Sequence, residues 1–462
     1  MTLPTFDLPE PEKRNRLGWA LLIAVVSFLV LAQLEQYLSR STPDDHDLKP
    51  YETVLEMGVR QREALRKVGE VLAVPNKQLE KNPGDEALEN AISDLAPLRT
   101  KNAEAAKLYV AMRTETGKEI VPGDLQAIKA VPTPENKAFA TIYGSKKLDS
   151  EQLAAVEKAL SGSNFLLKLA RAHARERAGV KDPRGELLSA GKAALLLTAG
   201  AVGAFGMLFG LLLWPAYFVA RANGRLKPLG HPVGQLTPRD SDRHAMRAAQ
   251  VLLGMVALSY LLGGEATGLP KWAAGVTYAL ALLVMVVLLT LVPVDGSRIT
   301  FRRIGVRGTE LGKNVMWGVA GALANLPVVL ILGILGVTMF RFLPPPEHPT
   351  SVELMNNPSL ATILATLFAA SVVAPIVEES VFRGTLLPAI SAAFKHVPSG
   401  ILLTSLVFAS IHPTGIPAWP ALAGVGAMAA LLTYQTKSLV PAIVMHAVHN
   451  GLTLMLALAV SG

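Results

Sequence analysis

The feature that most limits how this chain can fold is a series of apolar runs, each about as long as a bilayer is thick. The first covers residues 17–34, and a helix needs about 20 such residues to cross a membrane. Because 51% of the residues are hydrophobic and only 17% are charged, the chain is too apolar for an ordinary soluble domain. We therefore predict an all-α fold, a polytopic transmembrane helical bundle of about nine spans. The later runs lie at 193–220, 248–263, 273–292, 314–340, 360–394, 399–416, 420–433 and 439–459.

The stretch between the first two runs has a different composition. It is polar, mixes both charges and carries helix-start signals, such as Thr133 before Pro134 and a capping box of Asp149 and Gln152. We predict a helical extramembrane domain inserted after the first span. The predicted organisation is a tail and first anchor at 1–39, this domain at 40–190, membrane helices with basic loops at 191–345 and a C-terminal membrane core at 346–462.

The distribution of charge predicts the orientation. Cytoplasmic loops carry an excess of Lys and Arg, and the loops at 221–247 and 295–313 are rich in arginine whereas those at 264–272 and 341–359 are not. We expect a multi-pass protein of the cell (inner) membrane with a cytoplasmic N-terminus, residues 40–190 extracytoplasmic, the lipid bilayer as a partner and no nucleic acid. The first run agrees, because basic residues precede it and acidic residues follow it: Lys13, Arg14 and Arg16, then Asp44, Asp45 and Asp47.

Two neighbouring carboxylates are the most unusual polar groups. Glu378 and Glu379 are the only acidic residues after Glu353, and apolar residues surround them. Holding one carboxylate in hydrocarbon costs roughly 2.5–3.5 kcal/mol even on the insertion scale, so a pair in such a place indicates chemistry or binding. Arg383 follows Glu379 by four residues, one helical turn, and can keep a glutamate ionised.

Further polar groups lie in the later apolar runs. Helical rise places Glu378 and His412 about 28 Å and 22 Å from the turn between their helices, and His446 and Asn450 about 14 Å and 20 Å from the last turn. His446 and Asn450 share a helix face because they lie four residues apart. The depths predict that these groups meet inside the bundle, whereas His449 is interpreted as a packing residue.

Such a set supports hydrolysis in two ways. A carboxylate and an imidazole can remove a proton from water, while a second imidazole and an amide stabilise the developing oxyanion. Alternatively, Glu378, His412 and His446 ligate a divalent metal such as zinc, with water in an open position. No cofactor is certain from the sequence. The chain has no cysteine, which excludes a thiol nucleophile and thiolate zinc sites.

Three motifs, taken together, resemble the CPBP family of intramembrane proteases, which includes type II CAAX prenyl endopeptidases and bacteriocin-processing proteins. They are EESVFR from Glu378, FASIH ending at His412, and HAVHN from His446 to Asn450. The resemblance covers about residues 360–459. It implies that Glu378 and His412 activate water, that His446 and Asn450 stabilise the oxyanion, and that Glu379 and Arg383 are supporting residues.

The function expected from this resemblance is that of an intramembrane endopeptidase acting on prenylated, peptide or membrane-anchored protein substrates, either as a metalloprotease or without a metal. Two alternatives remain open. One is a catalytically silent scaffold or bacteriocin-immunity factor whose extracytoplasmic domain binds a protein partner. The other is a proton-coupled transporter, although the polar groups cluster in the last third of the chain and no internal repeat is visible.

Overall fold

The protein is described by a computed structural model. It describes residues 16–39, 48–72, 84–162, 164–188, 190–262, 268–291, 305, 310–343, 346, 348, 350–351, 354 and 359–460. Most of the basic loop predicted at 295–313, and the aspartates that follow the first span, lie outside these ranges.

The described residues form sixteen helices. The first eight are α1 (Leu17–Ser39), α2 (Lys49–Leu72), α3 (Gly84–Leu95), α4 (Ala103–Glu115), α5 (Gln126–Ala130), α6 (Pro134–Gly144), α7 (Ser150–Ala159) and α8 (Phe165–Arg177). The other eight are α9 (Ala190–Ala222), α10 (Pro238–Leu262), α11 (Lys271–Leu291), α12 (Leu311–Met339), α13 (Leu360–Phe394), α14 (Val397–Ser410), α15 (Trp419–Thr436) and α16 (Val440–Val460).

The all-α prediction is confirmed, since the described residues contain helices and no strand. In the part of the chain that the structure describes, eight helices are long and apolar enough to cross a membrane, namely α1, α9 to α13, α15 and α16. The ninth expected span, 399–416, is shorter than predicted. Its helix α14 has 14 residues, which corresponds to about 21 Å. It ends before His412 because the residue before a proline, here Pro413, disfavours helical geometry.

The described chain divides into two compact units. The first comprises mainly residues 43–201, and the second comprises α1 and most residues from 202 onward. In the first unit, the predicted helix starts are confirmed. Asp149 accepts a hydrogen bond from the Gln152 amide at 2.7 Å, and Gln152 accepts one from the Asp149 amide at 3.1 Å. Thr133 caps α6 by accepting from the Asn136 amide.

A buried polar network ties several helices of this first unit together. His173 lies between the Tyr143 hydroxyl, 2.9 Å away, and the Glu115 carboxylate, 2.8 Å away. Burial alone raises the pKa of Glu115, but the hydrogen bond from His173 and the charge of Arg184 outweigh it and lower the pKa to about 2. Because the folded pKa lies below the ordinary 4.5, this carboxylate stabilises the unit above pH 4.5, and the contribution is lost as the pH falls toward 2.

The membrane unit relies on close helix contacts. Helix α15 packs against both α12 and α14, and α1 packs against α10. Glycines permit these approaches: a Cβ on Gly318 of α12 would lie 2.5 Å from the Val444 Cβ of α16. A Cβ on Gly426 of α15 would lie 3.0 Å from the Ser405 Cα of α14. Small residues at helix crossings are typical of membrane bundles, where van der Waals packing drives association.

Helix α13 contains two wide, π-helical turns, at Ala369–Val373 and Phe382–Leu386. Each is followed two residues later by a proline, Pro375 or Pro388. In a π turn each carbonyl accepts from the amide five residues ahead. Since proline has no amide hydrogen, the carbonyls five residues before the two prolines, those of residues 370 and 383, need partners from elsewhere.

The last part of one predicted loop lies in a helix instead. Arg243 was assigned to the loop 221–247, but α10 begins at Pro238 and includes it. The polar start is helical because Thr237 caps it by accepting from the Asp240 amide at 3.1 Å, and Asp240 also pairs with Arg243 at 3.2 Å. Hydrophobicity identified the apolar part of this helix and missed its polar first turns.

Candidate active site

The carboxylate of Glu378 lies where two imidazoles from other segments converge. Its Oε2 atom is 3.7 Å from Nε2 of His412 and 3.8 Å from Nε2 of His446. Glu378 belongs to α13, His412 to the turn after α14, and His446 to α16. The predicted meeting of these three groups is therefore observed.

A second cluster lies directly behind the first. Oε1 of Glu379 is 2.9 Å from Nδ1 of His446 and 3.1 Å from a guanidinium nitrogen of Arg383. Glu379 and Arg383 are almost completely inaccessible to solvent, at 0% and 1% exposure. A buried charge needs a hydrogen-bonded partner. Glu379 and Arg383, which lie one helical turn apart, are such partners for each other. His446 consequently has one ring nitrogen beside Glu379 and the other facing Glu378.

Phe408 explains why the motif that ends in His412 begins with an aromatic residue. Its ring lies 4.4 Å from the His412 ring and 5.6 Å from the His446 ring, measured between centroids, and the Arg383 guanidinium carbon lies 4.7 Å above it. Its carbonyl oxygen is 2.5 Å from Nδ1 of His412. That nitrogen must donate to a carbonyl, so Nε2 is the nitrogen that lacks a hydrogen and faces Glu378 when the His412 ring is neutral.

Asn450 closes the set from α16. It donates through Nδ2 to the carbonyl oxygen of Ala370 at 2.8 Å. This is one of the two carbonyls that the prolines of α13 leave without a helical partner, so Asn450 satisfies a defect of the neighbouring helix. A side-chain amide has two N–H groups, and the second remains for other partners. The orientation of the amide follows from this hydrogen bond.

These side chains line one cavity of about 500 Å³. Glu378, His412, His446 and Asn450 share its wall with mostly small or apolar residues of α11 and α13. A concave, mainly apolar cavity with a few convergent polar groups is the usual form of a small-ligand or catalytic site. His449, which the sequence assigned to packing, also lines it.

The alternative metal set of Glu378, His412 and His446 is spaced more widely than the ligands of an ideal tetrahedral zinc site. Two ligands about 2.1 Å from a tetrahedral zinc lie about 3.4 Å apart, and both distances from the Glu378 oxygen are longer. Within the described part of the chain, no group of three His, Asp or Glu side chains is arranged to hold a metal ion. The chemistry below is therefore derived from the side chains of the chain itself.

Two histidines that the sequence assigned to loops lie at or beside this site. Nε2 of His231 is 2.7 Å from the Arg383 carbonyl oxygen, the second carbonyl left unpaired in α13, and His231 therefore donates to it. Burial lowers the pKa of His231 to about 4. His348 lines the cavity itself. Neither histidine belongs to a motif. Sequence spacing alone does not predict a contact between a loop residue and a helix so far along the chain.

Comparison with known proteins identifies a family only for the last part of the chain. Residues 360–452 match the model of the family described as Rce1-like, type II CAAX prenyl endopeptidase. This span contains all three motifs. No curated protein and no solved structure matches the chain. The family resemblance that the motifs indicated is confirmed over these residues.

Proposed function

From a CAAX-type protease domain at residues 360–452 of a helical membrane protein, we propose that the chain is an intramembrane endopeptidase in which Glu378 activates water. The observation that carries the proposal is the convergence of Glu378, His412 and His446 on one cavity wall. The substrates are peptides or membrane-anchored proteins, prenylated or not, that reach this cavity.

The first step forms the nucleophile. A water molecule between Glu378 and His412 can donate one hydrogen bond to the carboxylate and one to the unprotonated Nε2 of His412. A lone pair of the water oxygen then points away from both side chains. Glu378 takes one proton from the water as general base. The resulting hydroxide forms a bond with the scissile carbonyl carbon, and the electron pair of the C=O bond moves to the oxygen.

The second step stabilises and then resolves the tetrahedral intermediate. His446 acts in its protonated form and donates from Nε2, while the Glu379 carboxylate next to Nδ1 stabilises the positive charge. Asn450 donates through its remaining N–H group. The C–N bond then breaks, and the leaving nitrogen takes the proton that Glu378 holds. The products are a new carboxyl terminus and a free amine.

The charges of the site balance in this scheme. Glu378 and Glu379 contribute two negative charges, and Arg383 and protonated His446 contribute two positive ones. A neutral, closely paired cluster is the form in which ionised groups are tolerated in an apolar interior. Arg383 and Glu379 act through their neighbours and do not touch the reacting atoms.

We further propose the orientation that the loop charges favour. The N-terminus is cytoplasmic, and residues 40–190 form an extracytoplasmic helical domain that binds a protein partner or substrate. In this arrangement the protein lies in the cell membrane.

The proposal is tested with the purified full-length protein in lipid nanodiscs. Turnover of a quenched fluorogenic prenylated peptide and of an unprenylated peptide library is measured for wild type, Glu378→Gln and His412→Ala. Removing a general base typically costs a factor of about 10²–10⁴, so Glu378→Gln should lose turnover to this degree while keeping its thermal stability.

Glu310→Gln is the matched control, because it removes a carboxylate that is exposed at the start of α12. It should cleave as wild type does. Equal turnover by wild type, Glu378→Gln and His412→Ala would rule out the proposed protease.

A further inference from the structure

The cavity has a further imidazole, contributed by the loop between α12 and α13. His348 lines the same cavity as Glu378 and His412. It lies near enough to Glu378 for the carboxylate charge to influence its titration. It belongs to none of the three motifs and takes no part in the steps above.

The hydrogen bonds of His348 fix which of its nitrogens carries the proton. The Thr350 amide donates to Nδ1 at 3.2 Å, so Nδ1 is an acceptor. In a neutral imidazole the other nitrogen, Nε2, then carries the hydrogen. Burial lowers the pKa of His348 to about 4, although the charge of Glu378 opposes this shift. The ring is therefore neutral near pH 7 and is a hydrogen-bond donor at Nε2.

A bound peptide makes use of such a donor. A peptide in an extended conformation carries a carbonyl oxygen on every residue, and a buried oxygen without a donor costs free energy. More than half of the residues that line this cavity are glycine, proline or residues with apolar side chains that donate nothing to a carbonyl. The proposed catalytic groups are committed to the reacting carbonyl and to water, so they leave the neighbouring carbonyls of the substrate unsatisfied.

We propose that His348 is a substrate-binding residue, which donates from Nε2 to a backbone carbonyl oxygen of the peptide next to the scissile bond. The inference rests on the proposed endopeptidase function and assigns a role within that same cavity. A neutral ring cannot supply a proton to the leaving amine without becoming an anion, so the role of His348 is binding and not acid catalysis.

The experiment compares His348→Ala, which removes the donor, with His348→Gln, whose side-chain amide can place an N–H group near the position of Nε2. Steady-state cleavage of the fluorogenic prenylated peptide gives kcat and KM. Binding of the same peptide is measured by fluorescence anisotropy in the Glu378→Gln background, where it is not cleaved. His396→Asn is the histidine control, because His396 is exposed and asparagine preserves its helix-capping role.

We expect His348→Ala to raise KM and the dissociation constant roughly three- to tenfold, the worth of one neutral hydrogen bond. Its kcat should stay within about twofold of wild type, and His348→Gln should recover most of the binding. Thermal unfolding of all variants should match wild type.

Three results would overturn the assignment. They are unchanged KM and binding in His348→Ala, a fall in kcat with unchanged KM, and a loss of binding that His348→Gln does not recover. In each case wild type still cleaves and Glu378→Gln does not, so the protease itself stands. No cleavage by wild type, or full cleavage by Glu378→Gln, would instead remove the proposed function, and the role of His348 with it.

Discussion

At the scale of residues, the adjacent glutamates have different surroundings and therefore different roles. Glu378 is partly accessible and faces the cavity, whereas Glu379 is fully buried between Arg383 and His446. The helix itself causes the difference, since neighbouring positions point about 100° apart. One carboxylate faces the cavity in which we propose that the reaction takes place, and the other pairs with Arg383 and His446.

The burial of Glu379 and Arg383 predicts that removing one charge of this pair lowers the stability of the protein more than removing both. Arg383→Met should destabilise the protein by about 3–5 kcal/mol, because it leaves the Glu379 carboxylate with one partner fewer in an apolar interior. The double variant Glu379→Gln with Arg383→Met should be more stable than Arg383→Met alone, since both charges are then absent. Thermal and denaturant unfolding in detergent checks this order, and additive losses in the double variant would contradict it.

At the scale of elements, helix α13 combines two prolines with two π turns, and each resulting free carbonyl is matched by one side chain. Ala370 is matched by Asn450 of α16, and Arg383 by His231 of the loop before α10. Prolines in membrane helices persist where neighbouring groups satisfy the backbone that they leave unpaired. The two hydrogen bonds hold α13 at either end of the segment that carries Glu378 and Glu379.

The match between His231 and Pro388 can be tested by compensation. His231→Ala leaves the Arg383 carbonyl without a donor, which should cost about 1–3 kcal/mol. Pro388→Ala restores an amide hydrogen five residues after that carbonyl, so adding it to His231→Ala should recover part of the loss. The free energies of unfolding of the two single variants and the double variant give the coupling energy between the two positions. If the effects of the two substitutions simply add, Pro388 is not the reason that the Arg383 carbonyl lacks a helical partner.

At the scale of the whole molecule, eight helices of the described residues are long and apolar enough to cross a membrane, and the unit at 43–201 has a core of its own. The core of that unit is apolar, with Phe139, Ile142 and Leu160 fully buried. The network around Glu115 adds a buried polar centre.

The proposed orientation is accessible to labelling because the chain has no cysteine. Lys147→Cys introduces an exposed thiol in the unit at 43–201, and Asn223→Cys introduces one in the loop after α9. A membrane-impermeant maleimide added to intact cells, or to spheroplasts where an outer membrane is present, should modify the first and should reach the second only after lysis. The reverse pattern would place the N-terminus outside.

Much of this architecture follows from the sequence alone, since the physical rules involved are local. Runs of apolar residues determined the membrane helices, because backbone groups in hydrocarbon must pair within their own segment. Pairs four residues apart, such as Glu379 with Arg383 and Phe408 with His412, are neighbours wherever the chain forms a helix or a helical turn. The motifs indicated a protease family before any geometry was available.

Only the tertiary structure decided how these local pieces face one another. The contact of Glu379 with His446 depends on the rotation and depth of two helices, which side-chain packing sets and sequence spacing does not. The same holds for His231 and His348, because a loop residue reaches a distant helix only through the folded path of the whole chain. Pro388 and His231 lie far apart in sequence. Pro388 leaves the Arg383 carbonyl without a helical donor, and His231 donates a hydrogen bond to that same carbonyl.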